Sequence, residues 1–247
     1  MRRVLNFPFL LVLVVFIFAF RLQPSQKLID RAETVSHGAF DALLKNHVTA
    51  SGVVNYVGFK ENAEFKAYLK TLSNAQPINT NWSREEKLAF WINAYNAFTI
   101  ELITKNLPLK SIRDIEEPWK QEFITISEKK YSLNTIEHEI LRKMNEPRIH
   151  FAIVCASYSC PKLLNAAYSA DQLEEQLLTQ TKLFLSDTKR NKIQPDKAEL
   201  SEIFNWFQVD FTVNGSVVDF INRYSDVKVK ASAELNYLPY DWSLNNK

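Results

Sequence analysis

The chain has 247 residues, 46% of them hydrophobic and 13% aromatic, enough apolar side chain for a sizeable core. Thirty basic residues against 28 acidic ones leave a formal charge of +2 with no block of one sign, which excludes the electrostatic footprint of a nucleic-acid binder. Only four glycines occur, in neither a G-x-G-x-x-G nor a P-loop pattern, so a phosphate cradle is excluded and no cofactor is expected.

Arg2 and Arg3 precede a nearly continuous apolar run from Val4 to Phe20, and polar sequence begins at Arg21. This is the pattern of a signal peptide or an N-terminal membrane anchor over residues 1–22. The absence of a small-x-small cleavage site after Phe20 favours the anchor. By the positive-inside rule the remainder lies across the membrane, on a periplasmic or extracellular face. From 23 to 247 no repeat, low-complexity tract or linker rich in glycine, serine or proline divides the chain, which predicts a single globular domain.

Within it, residues 24–49 carry apolar positions at helical period (Leu28, Ile29, Ala32, Val35, Ala39, Leu43, Leu44). His37 and His47, which fall here, lack a carboxylate or thiol companion at ligand spacing and stay outside any metal site. Residues 53–57 suit a short strand, and 62–72 suit a helix with Phe65, Tyr68, Leu69 and Leu72 on one side. A capping box, Ser83 with Glu86, opens the longest helix, from about 83 to 105 and central to the core. Asn93 and Asn96 flank its apolar stripe. An amide there must satisfy both of its ends, either by bracing the core or by serving a site.

Two short alternating segments, 122–126 and 130–133, predict a hairpin around Ser127-Glu128-Lys129. A helix follows from about Asn134 and stops at Pro147. Residues 148–156 form an apolar run of strand length ending in Cys155. A Ser169–Gln172 capping box predicts a helix to about 186, and 200–211 and 216–224 suit two more. The aromatic tail, 236–242, is irregular and expected to pack on the domain. The sum is an α+β class: mostly helical, around a small sheet.

Chemistry concentrates between residues 137 and 160. Glu137 falls inside the apolar stripe of its helix, where a carboxylate is costly unless paired, so it is either a site residue or the third residue of a capping box begun by Asn134. His138 borders the same stripe. Cys155 ends the apolar run and is followed by the small residues Ala156 and Ser157, a setting that exposes a nucleophile. A thiolate needs a histidine to take its proton and an acceptor to orient that histidine. His138 with Glu137, Asn93 or Asn96 can supply both, whereas His150, five residues before Cys155, points to the opposite face of a strand. Cys155 also has two inert readings: buried core, or a disulfide with Cys160 across Ser157-Tyr158-Ser159. The C-x₄-C spacing matches no structural zinc motif.

The order Phe90-Trp91-Ile92-Asn93-Ala94-Tyr95-Asn96-Ala97, Ser132-Leu133, Ile136-Glu137-His138, Ile140-Leu141-Arg142, His150-Phe151-Ala152, Cys155 and Ser159-Cys160-Pro161 resembles the family called domain of unknown function 547. The resemblance covers about 50–242 and includes the Tyr237-Leu238-Pro239-Tyr240-Asp241-Trp242 ending. It implies a domain without an assigned reaction. The family in turn looks distantly similar to thiol hydrolases of the papain and transglutaminase kind. Since His138 precedes Cys155, that likeness implies a permuted order. Two functions therefore stand as expectations: a cysteine-dependent hydrolase or acyl-transferase with Cys155, His138, Glu137, Asn93 and Asn96 at its site, or a non-catalytic anchored binding module with both cysteines bonded or buried.

Overall fold

Three helices begin the described part of the chain: α1 (Gly38–His47), α2 (Tyr56–Lys60) and α3 (Ala63–Asn74). The computed structural model describes residues 33–78 and 81–246, and 31–247 form one compact unit. The apolar run at 4–20 and the start of the first expected helix lie outside the described residues. Among those described, no helix is long and apolar enough to cross a membrane. The expected strand at 53–57 is not formed. Val54 makes a single bridge to Val48, and Asn55 then caps α2 by accepting from the Gly58 amide at 3.1 Å, which turns the chain into a helix. Asn62 starts α3 in the same way, accepting from Phe65 N at 3.0 Å.

The capping box forms as expected: Ser83 Oγ accepts from Glu86 N at 3.1 Å, and Ser83 N donates to the Glu86 carboxylate at 2.6 Å. It opens α4 (Arg84–Asn106), in which every residue from Leu88 to Thr104 except Glu101 is buried. A helix covered on all sides is the centre of its domain rather than a surface stripe. The hairpin is present as β1 (Ile124–Ile126) against β2 (Lys129–Tyr131), with Ile124 opposite Tyr131 and Ile126 opposite Lys129. Ser127 and Glu128 turn it with φ of 51° and 63°, the left-handed pair of a type I′ turn.

Beyond the hairpin the helical segment is a π-helix, Thr135–Leu141. The run expected as a strand is instead a 3₁₀ helix, Pro147–Phe151. Pro147 sits at its first turn, where a missing N–H costs nothing, and the Glu146 carboxylate accepts from Arg148 N at 3.2 Å. Residues 152–154 pair with no strand among the described residues, because the Asn96 amide takes their backbone: it donates to Ala152 O and accepts from Val154 N, both at 2.9 Å.

α5 (Leu173–Ser186) occupies the expected place, but Ser169 and Gln172 form no capping box; Ser169 N donates to Gln176 at 3.1 Å. The helix expected at 200–211 is divided. β3 (Lys192–Ile193) and β4 (Lys197–Ser201) form a hairpin, and only then come the short helices α6 (Ile203–Trp206) and α7 (Gln208–Phe211). α8 (Val217–Tyr224) opens on a Ser216–Asp219 capping box. β5 (Glu234–Leu238), inside the tail expected to be irregular, pairs parallel with β4 from Lys197–Glu234 to Ser201–Leu238. The class is α+β, mostly helical with small sheets. One apolar cluster surrounds α4. A second is built on phenylalanine, with Phe151 stacked on Phe184 at 4.9 Å and Phe204 against Phe211 at 4.8 Å.

Candidate functional site

A cleft of about 590 Å³ lies where the segments between 113 and 160 meet α6 and the tail. Its floor includes Tyr95 of α4. One wall carries Glu137 and His138 of the π-helix with His150 of the 3₁₀ helix; another carries Cys155, Cys160 and Pro161. Five more aromatic side chains line it, Trp119, Trp206, Phe207, Tyr240 and Trp242, alongside polar and charged groups that include Arg113, Glu116, Glu117 and Lys120. Tyr240 and Trp242 lie 4.5 Å apart between ring centres, Trp206 is 4.8 Å from Tyr240, and Trp119 meets Trp242 edge-on at 5.7 Å. The Arg113 guanidinium stands 5.3 Å from the Trp242 ring centre, within cation–π reach.

Cys155 and Cys160 are joined in a disulfide with their Cα atoms 6.4 Å apart, and no free cysteine remains. Cys155 is half-buried on the cleft wall, while Cys160 is 3% exposed. The turn between them is forced at Ala156, whose φ of 62° is left-handed, a conformation costing a residue with a Cβ about 1–2 kcal/mol. The tail holds that turn: Tyr158 N donates to Ser243 O at 2.6 Å, and Asn245 N donates to Ala156 O at 3.0 Å. Around the sulfurs, Ser157 Oγ donates to the Tyr240 hydroxyl at 2.9 Å, and that hydroxyl donates to Cys160 Sγ at 3.3 Å.

Glu137 is 8% exposed, and its capping role is not realised, since Asn134 makes no side-chain cap. Its carboxylate instead accepts from the Tyr95 hydroxyl at 3.2 Å. Burial raises its pKa to about 7, against smaller opposing effects of Tyr95 and Arg142, so at neutral pH it is shared between acid and carboxylate. Arg142, four residues beyond His138, links the histidines: its NH1 is 2.7 Å from His138 Nδ1, and its Nε and NH2 grip Asp210 at 2.6 and 2.8 Å. His150 Nε2 meets the same Asp210 at 2.7 Å. Burial favours a protonated Asp210, but the bonds from His150 and Arg142 outweigh it and hold the carboxyl far below its ordinary range. Burial pushes both histidines down, aided at His138 by Arg142.

Of the five residues named from sequence, Glu137, His138 and Cys155 open on the cleft. Asn93 and Asn96 do not line it. Asn93 clasps Tyr168, donating to its carbonyl at 2.8 Å and accepting from its amide at 2.9 Å, and Asn96 clasps 152–154 as above. Both amides brace the core, and Asn96 thereby sets the approach to Cys155. Asp210, Arg142, Tyr240 and Trp206 were not named as site residues from the sequence, although Arg142 and Tyr240 fall within the motifs of the family resemblance. Arg142 had a signal, its i,i+4 spacing from His138; Asp210, 60 residues from His150, had none. No group of three or more His, Cys, Asp or Glu among the described residues could hold a metal ion.

Fold and cleft together define an α+β domain with an aromatic cleft whose lining includes a disulfide. Residues 79–185 match the model of a family described as protein of unknown function, DUF547. No curated protein and no solved structure was found to match the chain.

Proposed function

We propose that the protein is an exported, membrane-held domain that binds a small organic ligand in the aromatic cleft, with Cys155 and Cys160 bonded in the resting state. The observation that carries this reading is the cleft itself: about 590 Å³, lined by three tryptophans, two tyrosines and a phenylalanine together with polar groups that include Arg113, Glu137 and His138. That size and lining suit a ligand with flat apolar faces and polar edges. Arg2 and Arg3 before the apolar run support export, and a disulfide suits an oxidising compartment. 8-Anilinonaphthalene sulfonate serves as a flat probe: its fluorescence should rise on saturable binding, and the rise should disappear in a Trp206→Ala/Trp242→Ala double variant that retains its melting temperature. An undiminished signal in that variant would remove the reading.

A second reading, a thiol hydrolase or acyl-transferase active only when reduced, is favoured by one fact: Glu137, His138 and Cys155 face the same cleft. In it the Cys155 thiolate attacks a carbonyl carbon, His138 carries the proton, and Glu137, half-protonated near pH 7, donates to the developing oxyanion. Reduced protein should then turn over p-nitrophenyl acetate and Cys155→Ser should not; equal rates for the two would end this reading.

A further inference from the structure

We propose that the Cys155–Cys160 bond is itself a reactive group: a centre of thiol–disulfide exchange that accepts a thiol-bearing substrate from the cleft. This role goes beyond ligand binding and does not depend on which ligand the aromatic walls take.

The two sulfurs are inequivalent in the way exchange requires. Both line the cleft, but Cys155 is half-buried whereas Cys160 is only 3% exposed, so an incoming thiolate meets Cys155 first. The shielded sulfur is equipped to leave. Cys160 Sγ accepts from the Cys155 backbone N–H at 3.0 Å and from the Tyr240 hydroxyl at 3.3 Å. The same hydroxyl stands 3.4 Å from Cys155 Sγ, which Ser157 Oγ also approaches at 3.1 Å, so the donor specific to Cys160 is the Cys155 N–H; Ser157, by donating to the Tyr240 oxygen at 2.9 Å, leaves the phenol's single proton to the sulfur pair. Donors aimed at a sulfur stabilise the thiolate form and speed its departure. The loop also stays in place when the bond opens, because the tail grips Ala156 and Tyr158 through backbone hydrogen bonds of 3.0 and 2.6 Å. The two thiols therefore remain within reach of one another for reclosure.

In the first step a substrate thiolate attacks Cys155 Sγ. A mixed disulfide forms there, the Cys155–Cys160 bond breaks, and its electron pair leaves on Cys160. A second substrate thiolate attacks the substrate sulfur of the mixed disulfide and releases Cys155 as a thiolate. Two substrate thiols have become one disulfide, their two protons and two electrons now residing in the reduced cysteine pair; a disulfide-bearing substrate reverses the sequence.

Glutathione and its disulfide are the probes, used on the full chain with adducts mapped after acid quench. Native wild-type protein should lose its disulfide to glutathione without denaturant. The Cys160→Ser variant, offered glutathione disulfide, should trap the adduct on Cys155, whereas Cys155→Ser should leave Cys160 unmodified. Tyr240→Phe should slow wild-type reduction roughly fivefold, the rate equivalent of one ordinary hydrogen bond. A bond that yields only after unfolding, adducts divided evenly between the two positions, or an unchanged rate in Tyr240→Phe would each overturn the proposal. The naphthalene probe, bound in parallel, separates a variant with a collapsed cleft from one that has lost exchange alone.

Discussion

Glu137 and Asp210 are carboxylates that both feel the charge of Arg142, yet burial and bonding drive them in opposite directions. Glu137, raised by burial from 4.5 to about 7, keeps in the folded state a proton that the unfolded chain releases. Its contribution to stability is thus complete below pH 4.5 and lost as pH rises through about 7, each pH step between those two values being worth about 1.4 kcal/mol. Glu137→Gln keeps an acceptor for Tyr95 and abolishes this loss. In urea unfolding the variant should equal wild type near pH 4.5 and exceed it by about 2–3 kcal/mol near pH 8.5; parallel profiles would refute the assignment. Asp210, held low, and His150, pushed low, contribute the reverse slope: stability present above their unfolded values and lost in acid. Asp210→Ala leaves Arg142 and the buried His150 without their shared acceptor and should cost about 2–4 kcal/mol near neutral pH, measured by the same unfolding.

Among the elements, α3, α4, the hairpin and α8 were readable because each is written locally, in one apolar face, a capping box, an alternation or a helical period. The segment after Pro147 was not. Its apolar residues suit a strand, but Asn96 reaches from α4 and takes the carbonyl of Ala152 and the amide of Val154, satisfying groups a neighbouring strand would have paired. Asn96→Ala should accordingly cost about 2–4 kcal/mol, leaving two buried backbone groups unbonded. Ser83→Ala removes only an exposed cap and should cost about 1 kcal/mol. Thermal denaturation of the two variants checks the order, and a smaller loss for Asn96→Ala would count against the brace.

For the whole molecule, the tail completes what the 79–185 segment begins. Tyr240 and Trp242 line the cleft, and Asn245 ties two distant segments to the tail: its backbone pairs with Val54 at 2.9 Å and Ala156 at 3.0 Å, and its side chain accepts from the Tyr56 hydroxyl at 2.6 Å. Removing residues 240–247 should therefore raise amide exchange across 156–160 by orders of magnitude and abolish probe binding, since the turn loses its backbone partners and the cleft its aromatic side. Protection there equal to the intact chain would show that the strap is dispensable.

By itself the sequence determined the α+β class and the central helix with its capping box, and it singled out Glu137, His138 and Cys155 as site candidates, because hydrophobic period, caps and costly buried polar residues are local properties. Only the tertiary structure decided that Cys155 bonds Cys160, that Asn93 and Asn96 brace the core, and that Asp210 and the aromatic side chains of α6 and the tail join the site. Those partners come from 5 residues away in the chain to 123, the separation of Trp119 and Trp242, and which groups satisfy one another across such separations is settled by packing, which no local pattern records.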